Sequence, residues 1–172
     1  MERLRIARPE DQAAVSALLR ISYGALMAGA YPADLLEQAL PFITKANPVL
    51  LASGRYAVIE DETGQLIACG GWSLARPGSA EVIEGLAHIR HFAVHPDAVR
   101  RGLGRKLYQW CEEAARASQA TEFECHASLN AEAFYRRLGF RRESELALRL
   151  GAEVTFPAIV MVRRIEPLRS TP

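Results

Sequence analysis

Cysteine is scarce in this sequence, and its spacing excludes a fold held together by disulfides. The three cysteines, Cys69, Cys111 and Cys125, are odd in number and lie far apart. Small secreted domains that depend on disulfides carry a dense and even set. We therefore expect free thiols and a reducing compartment.

Long apolar runs and a surplus of charge are also missing. No segment approaches the ~20 consecutive apolar residues of a membrane span, and the N-terminal stretch does not resemble a signal peptide. The net charge is only +1, so no overall basic field would recruit nucleic acid or a membrane. We expect one cytoplasmic domain over residues 1–172.

The usual patterns of a metal site or a cysteine nucleophile are absent as well. His88, His91, His95 and His126 lack the spaced histidine pair or Cys-x-x-Cys partner that zinc sites use. Cys125 and His126 are the residue types of a nucleophile and its base. They are neighbours in a predicted strand, however, and therefore point to opposite faces. We expect neither kind of site.

Two common phosphate-binding motifs can be excluded. A Walker A loop ends in Gly-Lys-Ser/Thr, whereas Gly104 is followed here by Arg105. A dinucleotide fingerprint needs a third glycine where this sequence has Leu107.

The residues around these two glycines instead predict a strand, a turn and an amphipathic helix. Together they would form an anion site from backbone amides. Residues 92–107 read FAVHPDAVRRGLGRKL. The first amides of a helix are unpaired and carry roughly half a positive charge. Gly102 and Gly104 remove side chains that would keep a phosphate away from them. Four cationic residues crowd the turn: Arg100, Arg101, Arg105 and Lys106. The pattern predicts a pyrophosphate site, and a cationic turn that only caps the helix is the alternative.

A second informative segment covers residues 130–140, which read NAEAFYRRLGF. Asn130 is predicted as the N-cap of a helix and Gly139 as its C-cap. Phe134 and Leu138 share one helical face and are predicted to be core residues, whereas Tyr135 points elsewhere.

Together the two segments resemble motifs A and B of the GNAT family of acyl-CoA-dependent N-acyltransferases. Motif A, Gln/Arg-x-x-Gly-x-Gly/Ala, falls on residues 99–104, with Val99 where Gln or Arg is usual. Motif B ends in Phe-Tyr-x-x-x-Gly-Phe and falls on residues 130–140. The resemblance implies an α/β (α+β) fold: a mixed, mostly antiparallel sheet of about six or seven strands with about four flanking helices.

Apolar periodicity and turn signals agree with that fold over nearly the whole chain. They predict helices at 9–22, 31–40, 103–118 and 130–139, with Pro41 kinking or ending the second. They predict strands at 3–7, 55–60, 65–74, 86–94, 122–127, 140–148 and 158–164, with a bulge or close approach at Gly70–Gly71. The family resemblance implies that the strands at 86–94 and 122–127 splay apart.

The resemblance also implies an activity and a cosubstrate. Acetyl-CoA would bind in the gap between the splayed strands, its pantetheine arm paired with the backbone of residues 92–94. One amide there would stabilise the oxyanion as an acetyl group passes directly to a primary amine in a ternary complex. No metal takes part. The implied cofactor-binding residues are Phe92, Ala93, Val94, Val99, Arg100, Arg101, Gly102, Leu103, Gly104, Arg105, Asn130 and Tyr135.

Two side chains are predicted to carry protons during catalysis. The motif B tyrosine of the family, here Tyr135, returns a proton to the departing thiolate. Because the amine must be neutral to attack, a base is also needed, and His88 stands where several relatives have a glutamate. An imidazole with its ordinary pKa of ~6.5 suits that role. Glu84, in a loop without pattern, is a weaker rival, and a histidine that only packs within the sheet is the alternative.

The acceptor is left open by the sequence. The elements that select it in the family would here present Tyr23, Tyr31, Trp72 and Phe156, with few carboxylates. This favours a small, partly apolar amine over a polyamine, while a protein N-terminus or lysine stays possible as the acceptor. Two other functions stay open: a non-catalytic acyl-CoA sensor with the same fold, and a structural domain whose basic turn binds a protein partner. Homodimers are common among relatives.

Overall fold

The computed structural model describes residues 1–168, which form one seven-stranded sheet covered by helices on both faces. The strands are β1 (Arg3–Ile6), β2 (Tyr56–Glu60), β3 (Leu66–Ser73), β4 (Leu86–Val94), β5 (Glu122–Ala127), β6 (Arg141–Leu150) and β7 (Val154–Arg164). The helices are α1 (Gln12–Leu26), α2 (Ala33–Ile43), α3 (Pro48–Ala52), α4 (Leu103–Ala117) and α5 (Glu132–Arg137). The predicted fold class is confirmed, with one helix more than expected.

The sheet order is β1-β2-β3-β4-β5-β7-β6. Within the described chain, β4 and β5 form the one parallel pair, and the other neighbours are antiparallel. A parallel neighbour needs a crossover connection, and α4 provides it between β4 and β5. This crossover carries the glycine-rich turn to the end of β4, beside the centre of the sheet.

The two faces of the sheet have separate cores. Helix α4 covers one face because Leu103, Leu107, Cys111 and Ala115 recur at helical spacing, and all four are buried there. Tyr108, also on α4, packs beside them. Helices α1 to α3 cover the other face. Ala114, one position before Ala115, is only partly buried.

The helix boundaries differ from the predicted ones in three places. Residues Pro9–Asp11 form a 3-10 turn, and α1 then runs four residues past Ser22. Helix α2 continues beyond Pro41 to Ile43, because a proline so near the C-terminus removes only one helical hydrogen bond. The sequence analysis missed α3, although its N-cap is a standard one: the Asn47 side chain accepts from the two amides at 49 and 50.

The segment around motif B also departs from the prediction. Asn130 lies within a 3-10 turn, Leu129–Ala131, and is not the N-cap; the cap position of α5 is Ala131. Leu138 is buried as predicted, but Tyr135 is buried and Phe134 only partly so, the reverse of the prediction for these two residues. Gly139 ends the helix with φ +94, as predicted.

The last two strands are longer than predicted because they form one extended hairpin. Strand β7 begins at Val154 and contains Pro157, a residue that the sequence analysis left outside a strand. Pairing of β7 with β5 ends at Ile159, so the side of Pro157 that lacks an N–H faces no strand partner.

The structure also bears on two expectations from composition, the lack of a membrane-spanning segment and the free thiols. In residues 1–168, no helix combines the length and apolar character needed to cross a membrane. Cys69, Cys111 and Cys125 are buried free thiols. The cytoplasmic location and the single-domain assignment stay predictions.

Candidate active site

The two central strands diverge where their hydrogen bonding ends. Near their starts, β4 and β5 pair in parallel through three residue pairs: Leu86–Glu122, Ala87–Phe123 and His88–Glu124. Beyond these pairs, β4 continues along β3 and β5 continues along β7. A V-shaped gap therefore opens between β4 and β5, and the predicted splay is confirmed.

A bulge in β4 lies at the edge of this gap. The register of β3 against β4 passes from Cys69–Ala93 to Gly71–Arg90, so β4 inserts one extra residue opposite Gly70. The sequence analysis expected an irregularity at the two glycines of β3. The irregularity is there, but the additional residue belongs to β4.

The bulge directs two carbonyl groups to tyrosine hydroxyls. His91 has φ +46, and its carbonyl accepts a hydrogen bond from Tyr56 Oη at 2.8 Å. The next carbonyl, of Phe92, accepts from Tyr23 Oη at 2.9 Å. The Phe92 ring occupies the space that a side chain at Gly70 would need. The backbone at the mouth of the gap is therefore fixed from two sides.

One amide of β4 points into the gap. The N–H of His95 donates to the Ile67 carbonyl at 2.8 Å, on the β3 side. Because successive residues of an antiparallel strand alternate in direction, the amide of Val94 points away from β3. Ala93 faces β3 instead. Of the predicted backbone contacts at residues 92–94, Val94 has the geometry to pair with an extended arm.

Helix α4 begins at the glycine-rich turn, as predicted. Gly102 occupies the N-cap position with φ +76, and Arg100 has φ +65. The amide of Lys106 donates to the Gly102 carbonyl at 3.0 Å. The amides of residues 103–105 precede this first helical bond, so they are unpaired within the helix and carry its positive partial charge.

The two glycines of the turn serve different purposes. A Cβ on Gly102 would meet nothing within 4 Å, so Gly102 is needed for its left-handed conformation. A Cβ on Gly104 would lie 2.8 Å from the ring of Phe134 on α5. Gly104 therefore allows α4 and α5 to pack closely, a reason that the sequence analysis had not given.

A cleft of ≈ 610 Å³ joins the α4 turn to the gap between the strands. This volume lies within the range of small-molecule sites. Eleven of the predicted cofactor-binding residues line it: Phe92, Ala93, Val94, Val99, Arg100, Gly102, Leu103, Gly104, Arg105, Asn130 and Tyr135. Helix α1 and the residue after it add Ser22, Tyr23, Leu26 and Met27 to the opposite wall, of which the sequence had indicated Tyr23 alone, as an acceptor contact.

Not every arginine near the cleft faces it. Arg101 does not line it: its guanidinium donates to Glu2 Oε1 at 3.1 Å and to the Asp97 carbonyl at 3.2 Å. On α5, Arg136 pairs with Glu132 at 2.8 Å on the surface. Arg137, the next residue, lines the cleft. The helical rotation of 100° per residue separates the two.

Tyr135 lies at the inner end of the cleft within an aromatic cluster. Its ring centroid is 5.0 Å from that of Phe134 and 6.5 Å from that of Phe92. Burial raises the pKa of Tyr135 well above 10, and its hydroxyl lies beside the Cys125 sulfur. The phenol therefore stays protonated at neutral pH and can act as a proton donor.

Tyr23 brings a second hydroxyl to the same place. Its ring is held by α1, its hydroxyl is bound to the Phe92 carbonyl, and burial raises its pKa. The signal for it was present in the sequence, because Tyr23 follows the core residue Leu19 by four positions and so continues the apolar face of α1. The prediction ended that helix one residue too early to include it.

His88 lies on the other face of the sheet, at the closed end of the gap. It is 2 % exposed, and its Nε2 has no partner within residues 1–168. Its Nδ1 is 3.8 Å from Glu124 Oε1, and that oxygen is 3.0 Å from His126 Nε2. Burial lowers the pKa of His88 below 6.5, although the charge of Glu124 opposes the shift. The imidazole is therefore neutral at pH 7, but it does not line the cleft.

His88 belongs to a group that we call the polar cluster: Ser73, His88, Arg90, Glu124 and His126. These residues share one face because β3, β4 and β5 place them in register, through the pairs Ser73–His88 and His88–Glu124. Cys125 points to the opposite face, into the core beneath α4, as strand alternation predicted. The sequence analysis missed Glu124, because nothing in the sequence indicates which residues of two distant strands become neighbours.

The other candidates from the sequence lie elsewhere. Trp72 is buried in the core on the α4 face. Tyr31 stacks on Phe156 at 4.2 Å, and its hydroxyl bonds the Pro157 carbonyl. Glu84 is exposed in its loop. Of the four aromatic residues named for the acceptor, Tyr23 lines the cleft. The described part of the chain contains no cluster of three His, Cys, Asp or Glu side chains that could hold a metal ion.

Comparison with known proteins identifies the family. A sequence model of the acetyltransferase (GNAT) domain matches residues 52–142, more than half of the chain. This segment contains the bulge, the glycine-rich turn and Tyr135.

Solved structures with the same fold cover almost the whole chain. A GCN5-related N-acetyltransferase from Rhodopseudomonas palustris aligns with a TM-score of 0.77 at 24% identity, over 95% of this chain and 96% of that chain. The PaiA N-acetyltransferase of Thermoplasma acidophilum, solved with coenzyme A, aligns with a TM-score of 0.70 at 14% identity, over 95% and 99%. The ribosomal-protein-S18-alanine N-acetyltransferase of Escherichia coli aligns with a TM-score of 0.62 at 18% identity, over 96% and 94%.

Proposed function

Because this chain belongs to the GNAT acetyltransferase family, we propose that it transfers an acetyl group from acetyl-CoA directly to a primary amine of a small molecule or peptide. The whole chain, residues 1–172, acts as one domain. The observation that carries the proposal is the meeting of three features in one cleft. These are the unpaired amides of α4, the split between β4 and β5, and the buried hydroxyl of Tyr135.

The cleft accounts for binding of the cosubstrate in two parts. The amides at the start of α4, with Arg100 and Arg105 at the same end, would hold the pyrophosphate. The amide of Val94 would pair with the pantetheine arm as a further strand would. Val99 departs from the family motif, but it only removes a side-chain contact and leaves the backbone amides in place.

Tyr135 is the proposed general acid. When the amine nitrogen bonds to the thioester carbon and the carbon–sulfur bond breaks, the leaving thiolate needs a proton. The phenol of Tyr135 stays protonated because its pKa is raised by burial, and it lies at the inner end of the cleft. A fixed donor there assists bond breaking without holding the thioester more tightly in the ground state.

His88 is the proposed general base, with Glu124 and His126 leading the proton outward. The acceptor amine must lose a proton, and the neutral ring of His88 is available at pH 7. Its Nε2 is fully buried and has no partner in the described chain, so proton transfer requires a local opening that brings the amine or a water molecule to this atom. Glu124 and His126 continue from His88 towards the surface through contacts of 3.8 and 3.0 Å.

Calorimetric titration of acetyl-CoA tests the proposal. It compares two variants with substitutions at neighbouring positions of α4. Arg105 lines the cleft, whereas Lys106, also exposed, does not. We expect micromolar binding that Arg105→Glu weakens at least tenfold and Lys106→Glu leaves almost unchanged, because only the first reverses a charge facing the pyrophosphate. Gly104→Glu is less informative, since it also disrupts the contact with Phe134.

Measuring the release of free CoA thiol with a panel of amines then distinguishes the acetyltransferase from the sensor and the structural domain. Turnover with any amine supports the acetyltransferase. Binding of acetyl-CoA without turnover of any amine would identify a non-catalytic sensor instead. Absence of binding to the unmodified protein would contradict both and leave a structural domain.

A further inference from the structure

Arg90 is a half-buried cation without a counter-ion. Its guanidinium makes one hydrogen bond within residues 1–168, from Nη1 to Ser73 Oγ at 3.0 Å, and it joins none of the ion pairs there. Ser73 is itself held, because its hydroxyl donates to the Ala75 carbonyl at 2.7 Å. Burial lowers the pKa of Arg90, yet a guanidinium stays charged in proteins. The side chain is thus oriented but not neutralised.

Other half-buried arginines of the described chain have a partner within it. Arg5 binds Asp11 at 2.8 Å, and Arg116 and Arg163 each lie 3.6 Å from Glu112. Arg55 lies over the Trp72 ring, with its Cζ 4.8 Å from the ring centroid. Burial of a charge is costly unless it is paired, so an anion from outside the chain would stabilise Arg90.

The free part of the guanidinium keeps contact with solvent. The fully buried, unpartnered side-chain atoms of the described residues include His88 Nε2 but no nitrogen of Arg90. The Arg90 nitrogens that do not bind Ser73 are therefore not fully buried. They lie on the face of the sheet opposite α4, so the phosphates held at the α4 turn cannot be that ligand.

We infer that the acceptor carries a carboxylate, which binds the Arg90 guanidinium while the acceptor amine reaches the thioester through the gap between β4 and β5. This inference rests on the proposed acetyltransferase function. A planar guanidinium accommodates a carboxylate through two parallel hydrogen bonds. The site would select a small zwitterion of the amino acid type, and a polyamine would be repelled by the same charge.

The position of Arg90 on β4 limits the size of the acceptor. It lies two residues before Phe92, across the bulge at His91, so the two residues are at most roughly 7 Å apart along the strand. The amine must reach the thioester near Phe92 and Tyr135 while the carboxylate stays at Arg90. The two groups therefore belong to one small molecule, a few bonds apart.

The test compares matched amines with thiol release as the readout. Each amino acid is paired with its own carboxamide, which keeps the amine and removes the negative charge, and amines that carry a phosphate form a third set. We expect the unmodified protein to prefer at least one amino acid over its carboxamide by tenfold or more in kcat/KM. Arg90→Gln should raise KM for that amino acid about tenfold and abolish the preference.

Two variants control for folding and charge. Arg90→Lys keeps the charge without the planar fork and should restore part of the preference. Arg163→Gln removes an equally shielded arginine on the opposite face and should leave the preference intact. Calorimetric affinity for acetyl-CoA should be the same in all three variants.

The outcomes separate this inference from the proposed function. If the unmodified protein does not bind acetyl-CoA, the proposed acetyltransferase function is refuted. With acetyl-CoA bound, turnover of neutral amines or polyamines alone would overturn the inference, and so would failure of every anionic amine. A preference for the phosphate-bearing amines would overturn the choice of a carboxylate.

Discussion

The cleft and the polar cluster lie at the same split between β4 and β5, but they are built by different means. The cleft takes its anion-binding groups from consecutive backbone amides at the start of α4. The polar cluster takes its charges from side chains on β3, β4 and β5, brought together only by strand register. A site made of backbone amides can be identified from one short motif. The position of a site made of side chains depends on how all the strands of the sheet pair.

The difference extends to electrostatics. At the α4 turn, exposed arginines and a helix end attract an anion through fields that water partly screens. In the polar cluster, burial dominates and lowers the pKa values of both His88 and Arg90. Substitutions at the turn should therefore change affinity for the cosubstrate, and substitutions deeper in the site should change the rate.

The largest expected effect comes from Tyr135→Phe. Removal of the proton donor should lower kcat by about 10²–10⁴-fold, while calorimetric affinity for acetyl-CoA stays within a factor of two or so. Tyr108→Phe is the matched control, since this buried tyrosine on α4 has a hydroxyl without a partner within residues 1–168. It should have little effect on kcat. Unchanged kcat in Tyr135→Phe across the whole pH range would remove the phenol from the mechanism.

The second expected effect is a pH dependence that originates in the polar cluster. The neutral ring of His88 is the base, and burial lowers its pKa, so kcat/KM should fall with pH only below about 6.5. His88→Gln should lower the plateau about 10²-fold and remove this acid limb. His91 cannot produce the limb, because burial lowers its pKa to about 4.

Glu124→Gln tests whether His88 is the group whose titration produces the acid limb. The charge of Glu124 raises the pKa of His88, while Arg90, Arg76 and His126 lower it. Loss of the carboxylate should therefore move the acid limb to lower pH and lower the rate through the weaker base. An acid limb that stays in place in both His88→Gln and Glu124→Gln would show that another group titrates.

The contrast between the two sites also explains what the sequence could predict. The eleven predicted cleft residues fall within two short segments of the sequence, residues 92–107 and 130–140. Glu124 and His126 could not be assigned, because their proximity to His88 depends on the parallel register of β4 and β5. The burial of Tyr135 was predicted wrongly, because Phe134 and Leu138 together indicated the core face. Phe134 instead packs against Gly104 of α4, and Tyr135 enters the core beside Leu138.

A smaller effect concerns stability and tests the packing role of Gly104. Gly104→Ala should destabilise the protein by about 1–3 kcal/mol, because the new methyl group would overlap the Phe134 ring. Adding Phe134→Ala should recover part of that loss in a double-mutant cycle measured by denaturant unfolding. Gly24→Ala in α1, where a Cβ meets nothing within 4 Å, should instead stabilise by roughly 0.5–1 kcal/mol.

The smallest expected effect separates two adjacent arginines of α5. Arg137 lines the cleft, whereas Arg136 is held on the surface by Glu132. If Arg137 contacts the 3'-phosphate of CoA, Arg137→Gln should weaken CoA binding about threefold to tenfold and leave dephospho-CoA almost unaffected. Arg136→Gln should change neither affinity. Equal weakening of both ligands by Arg137→Gln would assign this arginine to the cleft wall alone, and recognition of the cosubstrate would then depend on the backbone turn of α4 and its own arginines.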